Sequence, residues 1–193
     1  MNFKFYCALA AALVAVFSYL PYLRDIFRGR TRPHTFSWLI WIITLGTGLA
    51  GVLRGGGGWT ILSMGTSILL ECVVLLLSLR YGRKNITWFD TAVLLLALAA
   101  ILVWRQLQNP YLAVIMVSAI DFLGYLPSYR KVYFQPQSET LSTWIGYVLA
   151  GGFGMLALRS YNFLTLTYIL TVAAANLLMA ILCLRRTAPR QDR

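Results

Sequence analysis

The sequence predicts an all-α integral membrane protein of seven transmembrane helices, arranged as 3+1+3, and two observations support this prediction. First, 59% of the 193 residues are apolar and only 12% are charged. Apolar runs of about 20 residues, long enough for a helix to cross a bilayer, recur along the whole chain. Second, one stretch of sequence occurs twice. Because little polar sequence remains to cover a soluble surface, the bilayer decides the architecture.

The repeated stretch covers residues 19–41 and 125–147, which align without a gap at a distance of 106 positions. Five positions match: Tyr19 with Tyr125, Leu20 with Leu126, Pro21 with Pro127, Arg24 with Arg130, and Trp38 with Trp144. In each copy an apolar run ends in Tyr-Leu-Pro, and a polar loop containing arginine leads into the next run. Self-similarity of this kind indicates a duplicated structural unit.

Seven apolar spans can be placed along the chain from the hydrophobic pattern. They cover residues 4–23, 36–53, 59–79, 87–104, 110–129, 141–158 and 162–184. We expect a first triple-helix bundle in 1–84, a linker helix in 85–106, a second triple-helix bundle in 107–186 and a cytoplasmic tail in 187–193. Because three spans reverse the direction of the chain, one inverting linker helix is needed to make the two bundles parallel.

The basic residues predict the orientation in the membrane. With these spans, thirteen of the 17 Lys and Arg residues fall on one side and four on the other. Since basic loops stay in the cytoplasm, the amino terminus is expected outside and the carboxyl terminus inside a plasma or inner membrane. This distribution accounts for the net charge of +11 without nucleic acid. Asp90, near the cytoplasmic end of the linker helix, is expected to be solvated or paired with Arg83 or Lys84.

The third span contains a polar stripe. Ser63, Ser67, Glu71 and Ser78 follow spacings of four, four and seven, so they lie on one face of a helix. A carboxylate at the middle of a membrane is costly unless it faces the bundle interior or a water-filled cavity. We therefore predict that Glu71 belongs to a functional site, the alternative being a structural hydrogen bond to a neighbouring helix.

A second polar stripe lies on the fifth span. Ser118, Asp121 and Tyr125 share one face, and Asp121 matches Ala15 of the first copy, so the repeat is broken there by a charge. Structural pairing of Asp121 remains the alternative. Asn176 on the seventh span matches Glu71 at a distance of 105 positions. We predict one substrate-binding site made of these residues: Glu71, Asn176, Asp121, Ser67, Ser118 and Tyr125.

The repeated motif itself predicts bending and anchoring. Proline removes a backbone donor, so the first span is expected to end and bend at Pro21, near the cytoplasmic face. Trp38 and Trp144 lie close to the cytoplasmic ends of their spans, where tryptophan usually anchors a helix at the membrane interface.

The second copy also contains a motif with a family resemblance: Pro127-x-x-x-Lys131, followed by Gln137-Ser138-Glu139-Thr140-Leu141-Ser142. Together with the 3+1+3 layout, it resembles the PQ-loop or SWEET-like superfamily of membrane transporters over nearly the whole chain. The resemblance implies that each bundle packs its helices in the order 1-3-2 and that the pathway runs between the bundles. It also implies that the Glu71 and Asn176 positions line a central site and that Pro21 and Pro127 act as hinges.

The chain departs from that family at two features. Tyr22 and Ser128 replace the glutamine of the Pro-Gln motif, and small residues stand late in spans two and six, where sugar-stacking aromatic residues are expected. These departures argue against a sugar as the solute.

These patterns predict a transporter of a small polar or charged solute that works by alternating access around a site at the membrane midplane. As a hypothesis, one of the two acids carries a proton together with the solute. The alternative is a membrane receptor for a ligand or cargo, or an accessory subunit, on the same fold. With His34 as the only histidine and no catalytic motif, we expect no enzyme, metal or cofactor. The expected partners are the solute and the bilayer; a homo-oligomer is left open.

Overall fold

The computed structural model describes residues 3–54, 59–82, 86–104, 106 and 109–185. These residues form seven α-helices: α1 (Phe3–Phe27), α2 (Thr35–Arg54), α3 (Thr60–Tyr81), α4 (Trp88–Trp104), α5 (Pro110–Phe134), α6 (Leu141–Ala157) and α7 (Phe163–Leu184). A short 3₁₀ turn, Pro136–Ser138, joins α5 to α6. Each predicted span coincides with one helix, whereas the expected tail at 187–193 lies outside the described residues.

Several helices are long and apolar enough to cross a membrane. Four stretches meet both conditions: Phe3–Phe27, Thr60–Tyr81, Tyr111–Phe134 and Thr165–Leu184. The other three helices contain shorter apolar stretches, at Thr35–Thr47, Trp88–Ala99 and Leu141–Ala157. Large apolar side chains also point outward, such as Leu69 and Leu76 of α3. An apolar exterior of this kind fits lipid as the surrounding solvent, and the fold agrees with the prediction of an all-α membrane protein.

Local sequence explains where two of the helices begin. The side chain of Asn109 accepts hydrogen bonds from the backbone N–H groups of Tyr111 and Leu112, and Pro110 occupies the first helical position. Proline is tolerated there because its missing N–H would have no helical partner. At the start of α7, Asn162 and Thr165 form a reciprocal capping box.

The two repeated prolines lie inside helices. The expectation that the first span ends at Pro21 is wrong, because α1 continues to Phe27, as α5 continues past Pro127 to Phe134. Proline fixes φ at a value compatible with a helix and removes one donor, so a well-packed helix can continue beyond it. The turns after Pro21 are well packed, since Tyr22 and Ile26 are fully buried. The proposed hinge role of both prolines stays a prediction.

For the description of the packing we divide six of the helices into a first half (α1 to α3) and a second half (α5 to α7). In the first half α3 contacts both α1 and α2, and in the second half α7 contacts both α5 and α6. The halves meet through α1 against α6 and α2 against α5. Helix α4 packs mainly on α5 and also touches α2.

The bundle has two distinct ends. At one end, the loop after α1 is hydrogen-bonded to the segment before α6, through the hydroxyls of Thr31 and Thr140 at 2.6 Å. We call this the basic end, because it carries most of the basic residues. At the opposite end, Nζ of Lys4 on α1 donates to the backbone oxygen of Arg159 after α6, at 3.0 Å. The orientation predicted from charge makes the basic end cytoplasmic.

Asp90 is buried and fastens α4 to α5. Its carboxylate accepts from Nη2 of Arg130 at 2.6 Å and from the backbone N–H of Thr87 at 2.8 Å. The expectation that Asp90 is solvated is therefore wrong, and Arg83 and Lys84, its expected partners, lie outside the described residues. A fully buried carboxylate needs a close cation with well-formed hydrogen bonds, which Arg130 supplies.

The buried side chain of His34, which lies beside Asp90, should make the stability of the folded protein depend on pH. Burial lowers the pKa of His34 to about 4, although the Asp90 carboxylate 3.5 Å away opposes the shift. The unfolded chain, with an ordinary histidine pKa of about 6.5, then binds one more proton than the folded chain between these values. The free energy of unfolding should fall by on the order of 3 kcal/mol as the pH drops through this window.

The His34→Gln variant should lack this component, which tryptophan fluorescence during thermal unfolding at about pH 7 and about pH 4.5 can measure. Because His34 is the only histidine in the chain, the difference between the two proteins isolates its titration. The same loss of stability in both proteins would contradict the assignment.

Candidate functional site

A cavity of about 190 Å³ lies between the two halves of the bundle. Every helix except α4 contributes described residues to its lining. The lining reaches Thr60, the first residue of α3, at the opposite end. Toward the basic end it stops at a group of aromatic side chains. The cavity therefore occupies the middle of the bundle and extends away from the basic end.

Five of the six predicted substrate-binding residues line this cavity. They are Glu71, Asn176, Asp121, Ser67 and Tyr125, contributed by α3, α5 and α7. The sixth, Ser118, is buried on α5 but is not among the lining residues. The structure thus brings the two polar stripes to one space, while the binding role of these residues stays a prediction.

Asp121 has hydrogen-bond partners on two neighbouring helices. Its Oδ1 accepts from the hydroxyl of Thr44 on α2 at 2.6 Å and from the hydroxyl of Tyr168 on α7 at 3.1 Å. Because these donors belong to α2 and α7 and Asp121 belongs to α5, the side chain of Asp121 joins three helices around the cavity. Asp121 thus has a structural role in addition to the predicted one.

Asn176 also has a partner across the second half. Its Oδ1 accepts from the hydroxyl of Tyr125 on α5 at 3.0 Å, and the neighbouring Tyr129 donates to the backbone oxygen of Ala175 at 2.8 Å. These contacts hold α5 against α7. They also use the amide oxygen of Asn176, so this group is positioned by the protein itself.

Glu71 differs from Asp121 and Asn176 in its hydrogen bonding. Its Oε2 is buried and has no hydrogen-bond partner among the described residues. None of the described lining residues is Lys, Arg or His. Burying a polar group without a partner costs free energy, and burying a charge costs more. Trp41 Nε1 and the hydroxyls of Thr60 and Tyr147, which also line the cavity, lack a partner in the described part of the chain as well. Glu71 is the acidic group among these atoms, which are left to be satisfied by water, a proton or a solute.

An aromatic floor closes the cavity toward the basic end. We use this term for the side chains of Tyr19, Trp38, Trp41, Tyr125, Trp144 and Tyr147, all of which line the cavity. The centroids of the Trp41 and Tyr125 rings are 4.6 Å apart, and those of Trp144 and Tyr147 are 5.5 Å apart. Both halves contribute rings, so the floor spans the interface.

The floor corrects the sequence-based interpretation of two tryptophans. Trp38 and Trp144 are 2% and 1% exposed, so the expectation that they anchor the helices at the membrane interface is wrong. Tryptophan is common at interfaces because its N–H needs a polar partner. Here Nε1 of Trp144 donates to Oε2 of Glu139 at 3.3 Å inside the protein. The sequence signal for this group is Trp41, which stands one turn after Trp38 and therefore on the same helical face.

A glycine positions the centre of the floor. At Gly124 on α5, an added Cβ would lie 2.8 Å from Nε1 of Trp41 and 3.0 Å from Cγ2 of Ile40. Both neighbours belong to α2. The absence of a side chain at Gly124 therefore allows α2 to approach α5 closely, as small residues do between membrane helices.

Below the floor, at the basic end, lies a buried ion pair. Nζ of Lys131 forms a hydrogen bond with Oε1 of Glu139, and both side chains are 1% exposed. The same oxygen accepts from the hydroxyl of Tyr22 on α1 at 3.2 Å, and Nζ of Lys131 also donates to the backbone oxygen of Arg32 at 2.7 Å. We call these residues, with Trp144, the ion-pair cluster. It joins the second half to the first beneath the cavity.

Comparison of the chain with models of protein families, with curated proteins and with solved structures finds no match in any of the three. Since a fold does not determine a function, the site has to be interpreted from its own chemistry.

Proposed function

We propose that the protein is a transmembrane transporter of a small polar or charged solute that works by alternating access. The observation on which this proposal rests is the cavity between the halves. It combines the buried, unpartnered Oε2 of Glu71 with lining from both halves, and the ion-pair cluster lies beyond the aromatic floor at its basic end. A midplane site at the interface of two repeats is the arrangement that such transporters share.

The helix contacts support a 3+1+3 architecture as part of this proposal. In each half the third helix packs between the first and the second, which is the order 1-3-2 that the family resemblance implies. Helix α4 contributes no described residue to the cavity and is fastened to α5 through Asp90 and Arg130. This is the behaviour expected of a linker helix that orients two bundles and takes no part in the pathway.

The hydrogen bonds between the halves support alternating access. Most of those that join described residues across the halves lie at the basic end, including Thr31 with Thr140 and Ser37 with Ser128. Hydrogen bonds between polar side chains contribute modestly to stability, on the order of 1 kcal/mol each, so they can be broken and remade during a cycle. In this proposal the structure is the state in which the cytoplasmic side is closed.

Thiol labelling tests whether the site is reached from both faces. In a variant without the native cysteines, Ser67→Cys, one turn from Glu71, should react with a membrane-impermeant thiol reagent added from either side of the membrane. Leu69→Cys on the same helix, whose native side chain is 71% exposed on the outer surface of the bundle, is the matched control. It should stay unlabelled because a thiol in lipid does not ionise.

Labelling of Ser67→Cys from one face alone, under every condition, would contradict transport and favour a receptor.

The hypothesis that an acid carries a proton with the solute has a separate test. Uptake into proteoliposomes that does not depend on pH and is unchanged in Glu71→Gln and Asp121→Asn would exclude a proton carried on these acids.

A further inference from the structure

The two carboxylates in the cavity are in different chemical situations. Asp121 accepts two hydrogen bonds from hydroxyl groups of the protein, whereas Oε2 of Glu71 accepts none from the described residues. No described lining residue supplies a positive charge. The cavity therefore presents an acidic group that lacks a counter-ion. An anionic solute would be repelled by it, whereas a cationic solute would complete an ion pair.

The aromatic floor complements a particular kind of cation. The ring of Trp41 stands at 83° to that of Trp38, 53° to that of Tyr125 and 71° to that of Trp144. Rings at such angles pack edge to face instead of in a parallel stack, and all four of these residues line the cavity. Tryptophan and tyrosine rings attract ammonium groups through their negative faces, so a cavity lined by several of them favours such a group.

The lining also argues against an inorganic cation. Hard metal ions require about six or more oxygen ligands, whereas this lining is dominated by aromatic and small apolar side chains. The volume of about 190 Å³ is below the roughly 300–1,000 Å³ of sites for drug-sized ligands. A small organic molecule with one positive charge fits both observations.

We propose that the cavity binds a small organic ammonium cation, whose charge is shared between the Glu71 carboxylate and the aromatic floor. This inference rests on the proposed function, because it names the solute class of the proposed transporter. Glu71 supplies the counter-ion, and Trp41, at the centre of the floor, supplies the main cation–π contact.

Binding to the purified full-length protein tests the proposal with two matched pairs of probes. Choline and phenethylammonium carry the positive charge; dimethylbutanol and phenylethanol are their neutral isosteres. We expect the two cations, and neither isostere, to raise the Tm in tryptophan fluorescence. The concentration dependence of the Tm gives the affinity for each cation. This affinity should fall at least about tenfold in Glu71→Gln. It should also decrease from the native protein to Trp41→Phe and further to Trp41→Leu, as the ring becomes smaller and is then lost.

Three results would overturn the proposal: no rise in Tm with either cation, equal rises with a cation and its isostere, or a rise that persists unchanged in Glu71→Gln. A loss of folding in Glu71→Gln would be recognised from its Tm without probe, and the Trp41 variants would then test the proposal in its place.

Uptake of labelled choline by proteoliposomes distinguishes the proposal of transport from the proposal of a cationic solute. Binding without uptake would contradict transport alone, whereas two-sided labelling of Ser67→Cys without cation binding would contradict the cation alone.

Discussion

Replacement of Glu139 by glutamine is expected to lower the free energy of unfolding by about 3–5 kcal/mol. Glu139 is 1% exposed and is the ion-pair partner of Lys131. Without the carboxylate, the buried ammonium group of Lys131 loses this ion-pair partner, and removing one member of a buried pair costs far more than the intact pair contributes. The loss of stability can be measured by thermal unfolding in detergent. A dye that reacts with thiols reports unfolding, because Cys7 and Cys183 are buried in the fold.

Two further variants control this experiment. Arg24→Gln removes an ion pair with Asp25 in which the arginine is 55% exposed; it should cost at most about 1 kcal/mol, because water screens exposed pairs. The double variant Lys131→Met with Glu139→Gln removes both charges together and keeps a side-chain oxygen at position 139 as an acceptor for the Tyr22 hydroxyl. It should recover most of the stability lost in Glu139→Gln. If the double variant is as unstable as the single one, the loss does not arise from an unpaired charge.

The second large effect is expected at Gly146, where α6 crosses α1. A Cβ at this position would overlap with Oγ of Ser18 and would lie 2.6 Å from its Cβ. Rotation of the serine side chain moves Oγ but cannot move Cβ, so the two helices would have to separate. Gly146→Ala should therefore reduce the free energy of unfolding by about 1–3 kcal/mol, the usual cost of overpacking, in the same thermal assay.

The chain offers a matched control for the effect of alanine on the helix itself. Gly152 lies on α6 as well, and an added Cβ there meets nothing within 4 Å. Gly152→Ala should leave stability unchanged or raise it, since alanine favours helix more than glycine does. Combining Gly146→Ala with Ser18→Gly should restore stability by removing the overlapping atoms. No difference between Gly146→Ala and Gly152→Ala would show that the helices do not approach each other as described.

Periodicity predicted which residues share a helical face, and this was enough to relate several lining residues of the cavity. Ser67 and Glu71 are one turn apart, so the geometry of a helix places them together without knowledge of the fold. The same reasoning related Asp121 to Tyr125. The all-helical membrane class followed from composition and the length of the apolar runs, which depend little on tertiary contacts.

Contacts between distant segments could not be predicted in this way. Asp90 pairs with Arg130, forty positions away, because α4 packs on α5, and nothing in the local sequence selects that arginine. The buried state of Trp38 was missed for a related reason. Its distance from the end of the span suggested an interface, but the direction in which it points depends on the helices that surround it.

The ion-pair cluster also shows how far the two copies of the repeated stretch differ. At a spacing of 106 positions, Tyr22 corresponds to Ser128, Lys131 to Asp25 and Glu139 to Pro33. The hydrogen bond from Tyr22 to Glu139 thus has no mirror image, since Ser128 and Pro33 cannot form its counterpart. In a dimer of identical subunits every contact must occur twice. This contact therefore requires two halves that differ in sequence, and two identical halves could not form it in a symmetric dimer.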